Sequence, residues 1–380
     1  MRKIVINNEE WTYKVGQRYT VIKSPENKRY VVDHSEMTSL DDIERTYWKE
    51  YLNIKPSNIK EYILNMNWKN IRRINSSEGN VCKFVYTKEN AVAESVLYKY
   101  STYEERTVIC CSTMSGCPVG CRMCGAGDYF VRNLTAKEIV EQVDYSIKQT
   151  KVDPANIKKL QIMFMSMGEP LLNIRNTTDA IKVLYKKYPH AALLLSTIGP
   201  RIHYAPLIFR LSQEIKTLGL QFSIHESTDE KRDQLIPFKN KLTLAEIGLT
   251  GEEFYKSCGR RPFFNYCASD TNTSDEDVSN LLSYFNPKIW ECTISVICER
   301  NEGLPARNNH QVELAKSFSE KMVSAGYSVR VFDPVGQDDI GGGCGQLWFV
   351  QKWMEDNPEK AKKSVGFGLP TIHVPKIGAI

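Results

Sequence analysis

From about residue 106 to residue 332 the chain alternates short apolar runs with longer segments of helical period, and this limits its possible folds more than any other feature. Residues 106–111, 160–166, 191–196, 219–224, 290–297 and 327–332 are strand-like. Between them, 135–149, 176–188, 206–211 and 311–325 have helical spacing. In 135–149, Ile139, Val140, Val143 and Ile147 share one face, and Thr135 with Glu138 forms a capping box at its start. Strands that alternate with helices pair in parallel, with the helices covering the sheet. The expected fold is therefore α/β, curved into a full or partial barrel with its working residues at the C-terminal strand ends.

The first 66 residues read differently. Residues 3–6, 11–15, 19–23 and 29–32 are strand-like, with Asn7-Asn8 and Pro25-Glu26-Asn27 as turns, and 39–52 and 56–64 are helical, with Asp41 and Asp42 suited to the first turn. The expected organisation is a small α+β accessory domain at 1–66 and a linker with strands at 82–86 and 94–98 over 67–105, then the core at 106–350 and an extension at 351–380. No internal repeat or low-complexity tract interrupts this order.

Composition closes off several classes. With 42% hydrophobic and 25% charged residues, the chain is not mostly disordered. No apolar run approaches the ~18–20 residues that cross a bilayer, and the start, MRKIVINNEEW, turns polar at once, so a cytoplasmic protein without a membrane partner is expected. A net charge of +5 permits a nucleic-acid partner without demanding one. The basic stretches, such as Lys69 to Arg73 and Lys360 to Lys363, read as solvated faces. Eleven cysteines, an odd number, point to metal or redox chemistry rather than a disulfide scaffold.

The strongest local signal is Cys117-Pro118-Val119-Gly120-Cys121-Arg122-Met123-Cys124. Three thiolates on so short a loop can converge on one metal centre, with Gly120 helping the chain to wrap. Structural zinc sites are closed by four protein ligands, and no fourth Cys or His follows nearby. Three ligands on a [4Fe-4S] cluster would leave one iron open. The alternative is a zinc site completed by a distant residue.

This CxxxCxxC spacing after a strand resembles the radical S-adenosylmethionine (SAM) enzymes, and the flanking blocks resemble one branch, the RlmN/Cfr family of RNA adenine methyltransferases. The blocks are Glu94 to Tyr98, Cys110 seven residues before the cluster, Arg132-Asn133-Leu134, Met165 to Asn173, Leu195 to Gly199, Phe222 to His225, Arg232-Asp233 with Ile236-Pro237, and Asp338 to Leu347. Their order and spacing make the signal specific. Met123 stands where the superfamily usually has an aromatic, and its thioether can pack over an adenine or a cluster.

The resemblance implies a partial (β/α)6-type barrel, a [4Fe-4S] cluster on Cys117, Cys121 and Cys124, and SAM as cosubstrate. It implies SAM contacts from Gly168, Glu169, Ser196, Ser223, Ile224, His225 and an Asn near the end of the strand at 290–297, taken as Asn301, with Arg300 the alternative. Cys344, in the run Gly341-Gly342-Gly343-Cys344-Gly345, matches the thiol that SAM methylates. A radical from a second SAM then takes hydrogen from that S-methyl group, and the carbon adds to an adenine ring carbon. Cys110 matches the thiol that attacks the Cys344 sulfur and leaves a disulfide to be reduced; Cys111, one residue off, would face the other way. Glu94 matches the proton acceptor. Cys82, Cys258, Cys267, Cys292 and Cys298 match no motif and read as packing residues.

The implied function is methylation of adenine in RNA, at C2 ahead of C8, in 23S rRNA and/or tRNA. It calls for a one-electron donor such as flavodoxin or ferredoxin and for a thiol reductant. The family's helical N-terminal domain has no counterpart in the strand-rich 1–66. DNA or a small nucleotide is therefore the rival substrate, and a non-catalytic metal-binding, nucleic-acid-binding protein is the rival of another class.

Overall fold

The computed structural model describes residues 2–6, 9–15, 19–23, 29–33, 67–68, 70–76, 78–296, 309–333 and 340, with backbone alone in the four segments before residue 34. The chain divides into two compact units, Met1–Asn65 and Met66–Ile380. In the first, β1 (Arg2–Ile6), β2 (Glu9–Val15), β3 (Tyr19–Lys23) and β4 (Arg29–Asp33) form an antiparallel meander in that order. The strands fall where alternation and turn residues put them. The helices expected at 39–52 and 56–64 lie outside the described residues.

The second unit is built on a ten-stranded sheet in the order β16-β15-β14-β13-β12-β11-β8-β7-β6-β5. β5 (Asn70–Asn75), β6 (Val81–Lys88) and β7 (Ala91–Tyr100) form an antiparallel flank that joins β8 (Arg106–Cys111). From β8 onward all pairing is parallel, through β11 (Leu160–Phe164), β12 (Ala192–Thr197), β13 (Leu218–Ser223), β14 (Phe263–Ala268), β15 (Glu291–Val296) and β16 (Ser328–Phe332). A two-stranded ribbon, β9 (Met114–Gly116) with β10 (Phe130–Asn133), brackets the cysteine loop. The fold is the α/β partial barrel that the alternation implied, with one parallel strand more than the sequence reading found, β14. That segment follows Arg260-Arg261-Pro262 and carries Asn265 in its middle, which masks the apolar run.

Seven helices are described: α1 (Ala136–Thr150), α2 (Ile174–Lys187), α3 (Ala205–Glu214), α4 (Asp229–Leu235), α5 (Leu244–Cys258), α6 (Asp275–Tyr284) and α7 (Asn309–Ser324). The capping box at α1 is formed: Thr135 Oγ1 accepts the Glu138 N–H at 3.2 Å, and Glu138 Oε2 accepts the Thr135 N–H at 2.9 Å. Arg132 adds a bidentate pair to the same Glu138, at 2.8 Å to each oxygen, so this motif arginine anchors a helix start. Helix side chains such as Ile139, Val143, Ile181, Leu211 and Phe254 pack on alternate strand residues, including Cys111, Ile162, Leu195, Phe222, Phe264 and Ile294, in one continuous core. The strand residues between these point to the opposite, inner face. Among the described residues no helix is long and apolar enough to cross a membrane.

Candidate active site

The cysteine loop is a turn tied at both ends. The Cys117 N–H donates to the Tyr129 carbonyl at 2.8 Å, the Cys124 N–H to the Cys121 carbonyl at 3.0 Å, and the Arg122 N–H to the Leu235 carbonyl at the end of α4 at 2.9 Å. Gly120 holds φ +73°, the left-handed region that lets the chain reverse between the first two cysteines. Val119 is buried against Ile198 and Ile236, which leaves Cys117, Cys121 and Cys124 at the half-buried rim. Burial pushes the Cys117 thiol up, the largest influence on it, so only a strongly positive partner would hold it as thiolate. Among the described residues no group of three or more His, Cys, Asp or Glu is arranged to hold a single metal ion. A [4Fe-4S] cluster places each thiolate on a different iron, so it asks for a wider spread of sulfurs than one ion does. Three thiols on one rim loop are a donor set that fits such a cluster.

Gly168 and Glu169 follow β11 at its C-terminal end. Gly168 has φ +100°, and a Cβ there would lie 2.6 Å from the Met114 Cβ and 2.9 Å from its backbone nitrogen, so only glycine fits. The Glu169 carboxylate is turned inward. Oε1 accepts from Thr197 Oγ1 at 2.6 Å and the Leu171 N–H at 3.0 Å, and Oε2 from the Ile198 N–H at 2.8 Å. Burial raises its pKa to about 7 against these hydrogen bonds. The side chain thus fastens the β11 loop to the end of β12. Asn173, from the same motif, donates to the Thr113 carbonyl at 2.7 Å and the Leu134 carbonyl at 2.8 Å and so ties the loop to the β8–α1 connection.

At the next strand ends, Ser196 Oγ lies 3.3 Å from Ser223 Oγ and accepts from Gln221 Nε2 at 3.0 Å. Ser295 Oγ donates to Asn265 Oδ1 at 2.7 Å. Gln221, Asn265 and Ser295 were not singled out from sequence. Their signal was present, because strands covered on both faces read as continuous apolar runs, and an amide inside one marks the inner face. The Ile224 side chain is buried in the helix-facing core, so its main chain alone can reach a ligand. His225 sits at φ +60°, with its carbonyl accepting from Asn272 Nδ2 at 3.0 Å. Its ring is buried, Nδ1 has no hydrogen-bond partner among the described residues, and burial, with Arg232 adding to it, lowers its pKa to about 3. The imidazole is neutral at physiological pH.

The two adjacent cysteines of β8 part company. Cys110 packs with Val96, Val108, Met163 and Met165 on the inner face. Cys111 is fully buried in the helix-facing core, and burial pushes its thiol well up. Glu94 shares the inner face. The β7–β8 register puts Val96 opposite Cys110, and Glu94 is bonded through its main chain to Ser112 Oγ at 3.0 Å, so Glu94 and Cys110 are diagonal neighbours. The extra chain between them forms the turn at 101–105 and leaves the pairing intact. Lys83 Nζ is 3.5 Å from Glu94 Oε2, with both side chains fully buried. Burial lowers the Lys83 pKa and Glu94 opposes that shift. Tyr129 packs in one small cluster with Cys117 and Cys124, and its hydroxyl is pushed up mainly by burial, with Glu94, Cys124 and Cys117 adding to it.

Cys82, Cys258 and Cys292 pack with the helix-facing core, and Cys267 is buried on the inner face. No disulfide joins any two of the described cysteines. Cys344, Asn301, Arg300 and Cys298 lie outside the described residues.

No family model matches the chain. A protein of Pseudothermotoga lettingae named a probable dual-specificity RNA methyltransferase RlmN is 32% identical over 84% of this chain and 88% of its own length. A protein of the same name from Thermus thermophilus is 30% identical over 72% of this chain and 75% of its own. Among solved structures, a radical SAM methyltransferase from Sphaerobacter thermophilus superposes with a TM-score of 0.64 over 78% of this chain and 86% of that one, at 24% identity, a likeness of fold. The ordered motif blocks, the open parallel sheet with its rim of three cysteines and the extent of these matches lead to one assignment: this chain belongs to the RlmN/Cfr family.

Proposed function

We propose that this chain is a radical SAM RNA methyltransferase that methylates a ring carbon of adenine, C2 ahead of C8, in 23S rRNA and/or tRNA. The relatives it matches are named dual-specificity RNA methyltransferases. The observation that carries the reading is the company of Cys110: it shares the inner face with the buried Glu94–Lys83 pair, while Tyr129, packed with Cys117 and Cys124, lies within electrostatic reach of Glu94.

Cys117, Cys121 and Cys124 hold the [4Fe-4S] cluster. A [4Fe-4S] cluster bound there would supply one-electron cleavage of the SAM sulfonium to a carbon radical. SAM is gripped at the strand ends by the main chain of Gly168-Glu169 and Ile224 and by Ser196, Ser223 and His225, with Asn301 as a further contact. A neutral imidazole at His225 offers an acceptor and a donor without adding positive charge beside a sulfonium. Cys344 carries the methyl group to the adenine. Glu94, kept beside Lys83, accepts the proton released from the ring carbon. Cys110 then attacks the Cys344 sulfur, the bond from that sulfur to the methylene carbon breaks, the carbon takes up a proton to become the product's methyl group, and an external thiol reductant reopens the Cys110–Cys344 disulfide. A flavodoxin or ferredoxin provides the electron. The target base is unpaired or flipped, since a ring carbon inside a helix is out of reach.

The test is anaerobic incubation of reconstituted enzyme with SAM, a reductant and unmodified total RNA, with nucleosides quantified by mass spectrometry. A methyladenosine formed by wild type and not by Cys344→Ala is the expected result, and its retention time assigns C2 or C8. Formation of 5′-deoxyadenosine without RNA methylation would move the substrate to DNA or a small nucleotide.

A further inference from the structure

Arg232 belongs to a motif block with no role in the scheme above. It lies on α4, whose C-terminal residues Leu235 and Ile236 pack on the cysteine loop through Val119, Cys117 and Cys121. Its side chain is 0% exposed. Nη1 donates to the Leu242 carbonyl at 2.7 Å and Nη2 to the Ile198 carbonyl at 2.6 Å, while Nε has no hydrogen-bond partner among the described residues. Carbonyls orient a guanidinium and do not neutralise it. The nearby carboxylates Asp229 and Asp233 offset the charge only in part, since burial still outweighs them: Asp233, 69% exposed, also pairs with Lys241, and Asp229 Oδ1 accepts the Leu244 N–H at 2.9 Å. Cys121, a ligand in the reading above, also lies within electrostatic reach and would add negative charge as a thiolate.

A fully buried cation needs a counter-charge, because desolvation removes what water supplied. Three thiolates around a [4Fe-4S] cluster form an anion, and one-electron reduction makes it more negative. We propose that Arg232 is the fixed counter-charge of the cluster and favours its reduced form, so that a low-potential one-electron donor can load it. This rests on the assignment of Cys117, Cys121 and Cys124 to the cluster. Arg232 acts without touching SAM or RNA, which makes it a positioning and tuning residue. Its hold on the Ile198 carbonyl also steadies the Ile198 N–H that Glu169 accepts.

The test is dye-mediated redox titration of the full-length reconstituted protein without RNA, with dithionite as reductant and the reduced cluster followed by electron paramagnetic resonance. Arg232→Gln is expected to weaken reduction about tenfold, which is ~59 mV for one electron, and Arg232→Lys to keep most of the wild-type midpoint. Asp229→Asn, whose amide oxygen can still accept the Leu244 N–H, removes a neighbouring negative charge and is expected to raise the midpoint. Equal midpoints for wild type and Arg232→Gln overturn the proposal. If Arg232→Gln holds no iron, a midpoint in Asp229→Asn that is unchanged or lower overturns it equally. A wild-type protein that assembles no cluster would instead overturn the cluster assignment on which it rests.

Discussion

The two faces of the ten-stranded sheet make opposite use of the same strands. The helix-facing side is filled by residues such as Ile109, Phe164, Leu195, Phe222, Phe264 and Cys292, each fully buried. Each large apolar side chain there contributes about 1.5–3 kcal/mol by leaving water. The inner side carries Lys83, Glu94, Cys110, Ser196, Gln221, Ser223, Asn265 and Ser295 on neighbouring strands. Packing alone would not select these groups. The Lys83–Glu94 pair is costly to desolvate, and apolar residues of similar size would serve stability as well or better. The helix-facing strand positions hold small polar groups such as Ser95 and Thr107, whereas the charged pair and the amides gather on the inner face. Cys110 and Cys111 show the division within a single dipeptide.

The largest contrast should come from cysteines on either side of it. Cys117→Ala, Cys121→Ala or Cys124→Ala is expected to abolish bound iron and the visible absorbance of the cluster while circular dichroism stays that of the folded chain. Cys292→Ala, in the helix-facing core, is expected to keep the iron and lose about 1–2 kcal/mol of stability. Lys83→Met leaves a buried carboxylate without its ion-pair partner and should cost about 3–5 kcal/mol in denaturant unfolding. The double variant Lys83→Met/Glu94→Leu should recover most of that stability and none of the methylation. Recovery of activity along with stability would erase the distinction between the faces. Gly168→Ala puts a methyl within 2.6 Å of Met114 at φ +100°, and a loss of about 2–4 kcal/mol is expected, together with weaker SAM binding by calorimetry.

A smaller effect is one of pH. The folded His225 has its pKa lowered to about 3 from 6.5, so between those values the unfolded chain binds a proton that the folded chain refuses. The stability due to the neutral ring is therefore fully present above pH 6.5 and is lost as pH falls toward 3, at about 1.4 kcal/mol per unit. Glu169, raised to about 7, has the opposite sign, contributing most at low pH and losing its contribution as pH rises toward 7. Comparing unfolding of wild type and His225→Asn across pH 4 to 7 isolates the histidine, since Asn tolerates the φ of +60° at this position. A variant with the same acid slope as wild type would show that the ring is not held neutral.

What could be read from sequence was what is local along the chain. The Thr135–Glu138 box, the six apolar strands and the CxxxCxxC loop each lie within one short window, so spacing alone reveals them. β14 escaped because the inner face asks for Asn265 where a strand pattern asks for an apolar residue. Lys83, Tyr129 and Arg232 gain meaning only through register and loop packing: Lys83 meets Glu94 across the β6–β7 pairing, in which Val85 opposes Glu94. Residues from distant motifs meet at Ile198, whose carbonyl takes Arg232 while its N–H serves Glu169. No periodicity carries that information. The contacts of the Glu169 carboxylate with Thr197, Leu171 and Ile198 likewise come from residues on two different strand ends.

The adjacent pair Cys110 and Cys111 separates the two faces most directly. Anaerobic enzyme, SAM, reductant and RNA would be run with wild type, Cys110→Ala and Cys111→Ala, and protein–RNA adducts resolved on denaturing gels and identified by mass spectrometry. If the inner face carries the chemistry, Cys110→Ala accumulates a covalent enzyme–RNA species that it cannot resolve. Cys111→Ala then turns over like wild type, with only a loss of stability. Adducts in both variants, or in Cys111→Ala alone, would contradict the assignment of the reaction to the inner face.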